Sequence, residues 1–255
     1  MKVITEPEIE TALRLSAERK FDDALALYQG MLARGENTVV QMKVLFGIVT
    51  CSTWLGLDVI TEDAIRALKQ LPDFDVSQAF IALVQARAFI DFGRAQEALD
   101  LVNQNLGSTV LQRDDFQDWK YEHLFMKGQC YVRLRAFDEA IRAFDAAHLM
   151  NSEGHLETEM LIERANCCLA RDQFAEAYEL ASQVQGRNDE ELGTLAMQYM
   201  AEARLAQRRI EEALNLYREL QKKLPCRLVD EKRIETGIRN GMTYLEKLHP
   251  QSKPF

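Results

Sequence analysis

Apolar residues recur along this chain at intervals of three and four, in stretches a few turns long, with polar or Gly/Pro breaks between them. That is the period of helices with one buried face. The breaks divide the chain into paired segments: Thr5 to Glu18 with Phe21 to Ala33, then 39–54 with 61–71, 76–91 with 94–106, 117–133 with 137–149, 155–170 with 174–185, and 189–206 with 210–223. A last amphipathic segment, 228–248, carries Ile234, Ile238, Met242 and Leu245 on one stripe. Thr5 followed by Glu8 reads as a capping box. Gly35-Glu36-Asn37, Pro72-Asp73, Asn188-Asp189 and Pro225 punctuate the pairs, and Gly107 to Asp115 is the longest connection. Its Val110-Leu111 is expected to pack down onto the helices.

The pairs repeat one another. Phe21-Asp22-Asp23-Ala24, Phe137-Asp138-Glu139-Ala140, Phe174-Ala175-Glu176-Ala177 and Ile210-Glu211-Glu212-Ala213 begin the second helices, and Arg94-Ala95-Gln96-Glu97-Ala98 is a weaker copy. An aromatic follows four residues on at Tyr28, Phe144 and Tyr217. Another small residue stands twelve earlier, at Ala12, Ala86, Gly128, Ala165 and Ala201. Small residues let two helix axes approach to about 8–10 Å. A helix pair that cannot bury its apolar face alone must stack on its neighbours. The second pair fits worst. Taking Ala64 as its second-helix alanine and Gly47 as its small residue leaves the segment Leu55 to Thr61 to bulge out or to extend a helix.

The combination in the fourth copy, Leu124, Gly128, Tyr131, Ala140, Phe144 and Ala147, resembles the tetratricopeptide repeat, as does Ala201, Ala213, Tyr217, Leu220 and Pro225 in the sixth, where Arg204 replaces the usual ring. The resemblance extends over nearly the whole chain. It implies an all-α, right-handed superhelical solenoid of about six helix pairs plus a C-terminal capping helix. The repeats are read at 5–37, 38–75, 76–115, 117–153, 155–187 and 189–225, with the closing helix at 228–248 and a disordered tail at 250–255. It further implies a concave groove that binds a peptide or partner helix. Counting the same central position in each repeat gives Ile48, Arg87, Gln129, Asn166 and Glu202, a row of mostly polar side chains read as exposed. Beside it the same count places Phe80, Leu83, Glu122, Phe125, Arg133, Ile162, Gln198 and Tyr199. The Phe125-Met126 pair is read as exposed beside Gln129, unless the capping helix or the 107–115 connection covers it. The carboxylate-clamp residues of one family variant are matched only at Asn166.

Charge narrows the partners. The net charge of −9 argues against non-specific nucleic-acid binding. Ten Lys/Arg against six Asp/Glu between Arg204 and Arg239 give a local +4. Salt-bridged helix faces or a basic docking end would each account for it. The first residues hold no signal-peptide core, and no apolar run is long enough to span a membrane. Five cysteines, Cys51, Cys130, Cys167, Cys168 and Cys226, fit reduced thiols of a cytoplasmic protein. His123, His148, His155 and His249 are too scattered for a zinc site, and no Cys-x-x-Cys, Gly-rich phosphate loop or Cys–His pair appears. The reading is therefore an adaptor or scaffold without catalysis, cofactor or metal, binding a protein or peptide segment. A peptide-sensing receptor that changes superhelix shape is the alternative, and homo-oligomer formation is compatible with either.

Overall fold

The structure is a computed structural model that describes residues 5–18, 20–34, 38–71, 74–113, 116–151, 156–185, 187, 190–224, 226 and 228–248. The breaks expected at 35–37, 72–73, 188–189 and 225, His155, His249 and the tail from 250 lie outside these residues. Among the described residues the architecture is all-α. The chain divides into two compact units, residues 1–134 and 135–255.

The first unit holds α1 (Glu6–Ala17), α2 (Phe21–Leu32), α3 (Thr38–Trp54), α4 (Asp58–Leu68), α5 (Phe74–Asp91), α6 (Ala95–Leu106), a 3-10 turn (Val110–Gln112) and α7 (Gln117–Arg133). The second holds α8 (Phe137–Met150), α9 (Glu157–Ala170), α10 (Phe174–Ser182), α11 (Glu190–Ala206), α12 (Ile210–Lys222) and α13 (Glu231–Leu248). Within each unit a helix packs on its sequence neighbour, and the odd-numbered helices also touch one another: α1 on α3, α3 on α5, α5 on α7, and α9 on α11, α11 on α13. Within each unit the first helices thus stack in one layer, and the second helices pack against it. At the start of α1 the Thr5 backbone N–H donates to the Glu8 carboxylate at 2.9 Å. That bond holds Glu8 below the usual carboxylate range, with Arg34 assisting.

One turn geometry joins the helices of five pairs among the described residues. Gly56, Gly93, Arg135, Asp172 and Arg208 all have φ between 60 and 78°. Each is followed by one residue with φ between −94 and −85° and ψ between 49 and 68°, and then a second helix. The next backbone N–H reaches back five residues: Leu57 to Ser52 O at 2.9 Å, Arg94 to Phe89 O at 2.7 Å, Gln173 to Cys168 O at 2.8 Å and Arg209 to Arg204 O at 2.9 Å. This is the Schellman closure of a helix C-terminus, which needs one left-handed residue. Glycine takes that conformation freely, and arginine or aspartate takes it at a cost of about 1–2 kcal/mol.

These turns correct the register of the second repeat. The residue five beyond each left-handed position is Thr61, Ala98, Ala140, Ala177 and Ala213. Thr61, and not Ala64, therefore stands where the other repeats carry alanine. The steps from Ala24 become 37, 37, 42, 37 and 36. The segment 55–61 is no insertion: α4 starts at Asp58, one turn earlier than the sequence suggested. The Thr61 hydroxyl is buried 2.8 Å from that of Ser52. Each also donates or accepts within its own helix, Ser52 to Ile48 O at 2.7 Å and Thr61 to Leu57 O at 3.1 Å. The one long step holds the 3-10 turn, whose Leu111 is buried with Ala79 and Phe116 as expected.

Two aromatic–glycine contacts tie second helices to the first helix that follows. Tyr28 of α2 lies flat on Gly47 of α3, and Tyr217 of α12 lies on Gly237 of α13. A Cβ at either glycine would fall inside the ring. Gly241 sits one turn on, where a Cβ would come within 3.0 Å of Leu214. The two mid-helix glycines of α13 are thus close-packing positions against α12. Ile234 is buried there and Ile238 packs beside it, while Met242 further along the stripe is exposed.

Candidate functional site

The first-helix layer of the first unit presents the residues singled out on α5 and α7. Phe80 and Arg87 are half-buried, Leu83 is buried, Glu122 is half-buried and Arg133 is exposed. Two expectations fail here. Phe125 is only 2% exposed, and Met126 is buried against Leu83, Ala86, Ile90 and Val102, so this pair is core. Gln129 is 9% exposed and accepts a 2.7 Å hydrogen bond from Arg87. Two members of the supposed open polar row therefore satisfy each other. The reason is that α7 is covered on more than one side, a fact invisible in its mixed sequence.

Ile48 does not belong to the row either. It is buried and lines a hollow of about 250 Å³ with Leu32, Ile60 and Ala67, on the side facing α2 and α4. With the corrected register, Thr50 takes the central position of that repeat, its hydroxyl donating to Phe46 O at 2.9 Å.

A better-formed concavity lies beside Thr50, between α1, α3 and α5. It encloses about 300 Å³, at the small end of ligand-sized pockets. Ile9, Leu13 and Ser16 come from α1, Lys43, Phe46, Gly47 and Thr50 from α3, and Phe80 from α5. Leu13 is 57% exposed, an uncovered apolar side chain at the mouth. Phe46 and Phe80 are tilted rings 4.2 Å apart, and Trp119 of α7 meets Phe80 edge-on at 5.8 Å. Tyr28 closes the floor. Its hydroxyl is enclosed, and burial raises its phenol above the usual value, with Ser16 opposing the shift. Ser16 beside it donates to Ala12 O at 3.0 Å and contacts the Cys51 thiol at 3.4 Å. Of this wall, only Phe80 was among the groove residues read from the sequence. Counting back from Gly56 instead of from Gly47 would have found Phe46 and Thr50.

A larger open notch of about 820 Å³ runs along the α5–α6 turn. Its charges pair locally, Arg94 with Glu97 at 2.6 Å, and the same guanidinium lies 4.4 Å over the Phe89 ring.

In the second unit, Ile162 and Tyr199 are buried and Asn166 is half-buried. Gln198 is 1% exposed and donates to Glu202 at 2.7 Å. The other oxygen of Glu202 accepts from Arg233 of α13 at 2.6 Å. The closing helix thus occupies this part of the row. Arg209 and Arg204 pair with Glu212, and Lys222 with Glu219. Much of the basic stretch is accordingly laced into its own helices, where exposed pairs add little stability.

Among the described residues no three His, Cys, Asp or Glu side chains gather where a metal could bind, and no helix is long and apolar enough to cross a membrane. His148 pairs with Glu157 across the α8–α9 turn at 3.1 Å. His123 is buried, its Nδ1 2.7 Å from Trp119 O and its Nε2 unpartnered. Burial holds it below its ordinary value. The cysteines are free thiols; burial pushes Cys130 and Cys167 up to about 12 and Cys168 to about 11.

No family model matches the sequence, and no curated protein matches it. Solved structures do. RapI in its apo form aligns over 97% of this chain and 76% of its own, at 12% identity and a TM-score of 0.58. TTC0263, a tetratricopeptide protein of Thermus thermophilus, aligns over 93% of this chain and 98% of its own, at 14% identity and a TM-score of 0.52. At such identities the likeness is one of fold. The fold is an all-α helical repeat of the tetratricopeptide type.

Proposed function

We propose that this chain is a non-catalytic binding module that takes a protein or peptide segment on the first-helix layer of its first unit. The observation that carries this is the open apolar hollow between α1, α3 and α5, with Leu13 uncovered at its mouth and the Phe46–Phe80–Trp119 series along its wall. Apolar pockets of this kind supply the anchor contacts of peptide recognition, with flanking polar groups setting orientation. Free, mostly buried thiols support a reducing, cytoplasmic setting. Arg87, Gln129 and Glu202 have internal partners, so their substitution would disturb structure as well as surface.

The test uses exposed positions. Leu13→Arg fills the mouth of the hollow. Val59→Arg, at an exposed position on α4, is the control. Quantitative pull-down with both variants and wild type, matched for helix content, is expected to lose bound protein only with Leu13→Arg. Equal retention by all three would remove the hollow from the reading.

A further inference from the structure

The two aromatic–glycine contacts give an internal comparison. Ala12 and Ala201 stand twelve residues before Ala24 and Ala213, so Leu13 of α1 corresponds to Glu202 of α11. Tyr28 on Gly47 corresponds to Tyr217 on Gly237. Four residues before each glycine is a cation, Lys43 on α3 and Arg233 on α13. The next residue, Val44 or Ile234, is buried in both, which supports the register.

The two places differ in one respect. In the second unit Arg233 meets the Glu202 carboxylate at 2.6 Å, close enough to Tyr217 for that charge to add to burial in raising its phenol. In the first unit leucine replaces the glutamate. Lys43 is exposed beside the hollow and has no ion pair among the described residues. A cation that lacks a carboxylate, where its counterpart Arg233 has one, fits an acid on the bound segment. The surrounding Ile9, Leu13, Phe46 and Phe80 ask for an apolar group beside it.

We infer that the segment bound in this hollow carries an Asp or Glu side chain next to a bulky apolar residue. The carboxylate pairs with Lys43, as Glu202 does with Arg233. The apolar side chain seats on Leu13 and the Phe46–Phe80 pair. This deepens the proposed function and rests on it.

Random-peptide display on the full chain, followed by fluorescence polarisation with fluorescein-labelled peptides amidated at the C-terminus, tests it. Enriched peptides are expected to place an acid beside Leu, Phe, Tyr or Trp. Lys43→Ala should weaken them by about tenfold or more, as for a partly desolvated charge pair, and Lys43→Arg should restore most of the loss. Leu13→Glu builds the second unit's arrangement into the first. It should fold with an unchanged or higher urea midpoint and abolish binding by occupying the site itself. If peptides without acids are enriched, and Leu13→Arg but not Lys43→Ala removes them, the carboxylate inference falls and the pocket stands. Peptides that bind only with a free C-terminus overturn the side-chain source. No enrichment, or equal binding by every variant, overturns both.

Discussion

Glycine to alanine at two helical positions of the first unit should have opposite effects. Gly30 in α2 has nothing within 4 Å of where a Cβ would lie. Gly30→Ala should therefore stabilise by the helix-propensity difference, about 0.5–1 kcal/mol. Gly47 in α3 enjoys the same intrinsic gain, but its Cβ would enter the ring of Tyr28 at Cζ, Cε1 and Cε2. That ring is 1% exposed and held between α1, α2 and α3, so it cannot swing into solvent. Overpacking of this kind costs about 1–3 kcal/mol, and a collision with the ring body belongs at the upper end. Set against the propensity gain, Gly47→Ala should lose about 2 kcal/mol. The difference between the two variants isolates the steric contribution at about 3 kcal/mol, because propensity cancels. Urea denaturation followed by far-UV circular dichroism measures both midpoints on matched samples. Adding Tyr28→Ala should make the Gly47→Ala cost largely vanish, a non-additivity expected only for groups in contact. If Gly47→Ala is as benign as Gly30→Ala, the close approach of α2 and α3 is wrong, and with it the floor of the hollow.

Other outcomes follow from single contacts. Asp172→Gly and Arg208→Gly, at left-handed turn positions, should each stabilise by about 0.5–1 kcal/mol; a loss in a thermal melt would contradict the turn geometry. Gln129→Ala, which removes the acceptor of a bond from a cationic group, should cost about 1–2 kcal/mol, and a change under a few tenths in the urea midpoint would return Gln129 to the surface. His123 has its folded-state value depressed by burial. The unfolded state therefore binds the proton first, and the stability it contributes is full above about 6.5 and lost as pH falls toward the depressed value. His123→Gln should flatten that part of the stability–pH curve, and an unchanged slope would refute the assignment.

The repeat was legible because alanine or glycine marks the helix crossings at nearly constant intervals. It failed where Thr61 does the alanine's work. Ala64 one turn later imitated the expected residue, and the Ser52–Thr61 hydroxyl pair that makes threonine acceptable spans two helices. The same slip moved the central position from Thr50 to Ile48 and hid the wall built by α3. On α7 the difficulty was different. Phe125 and Gln129 lie on a face that helix geometry alone assigns to a groove, yet neighbouring elements cover both. Periodicity specifies which residues share a face and leaves open how many faces are covered. Lys43 drew no notice because its significance comes from what stands opposite, leucine here and glutamate in the second unit.

Burial of the thiols bears on how the molecule can be handled. Cys51, Cys130, Cys167 and Cys168 are sealed in helices, while Cys226 is partly open at the junction before α13. Thiol-directed reagents attack accessible thiolates. Under native conditions a maleimide dye should then mark Cys226 first, without mutagenesis. Such a label would sit beside the closing helix and report directly when α13 lifts from Tyr217.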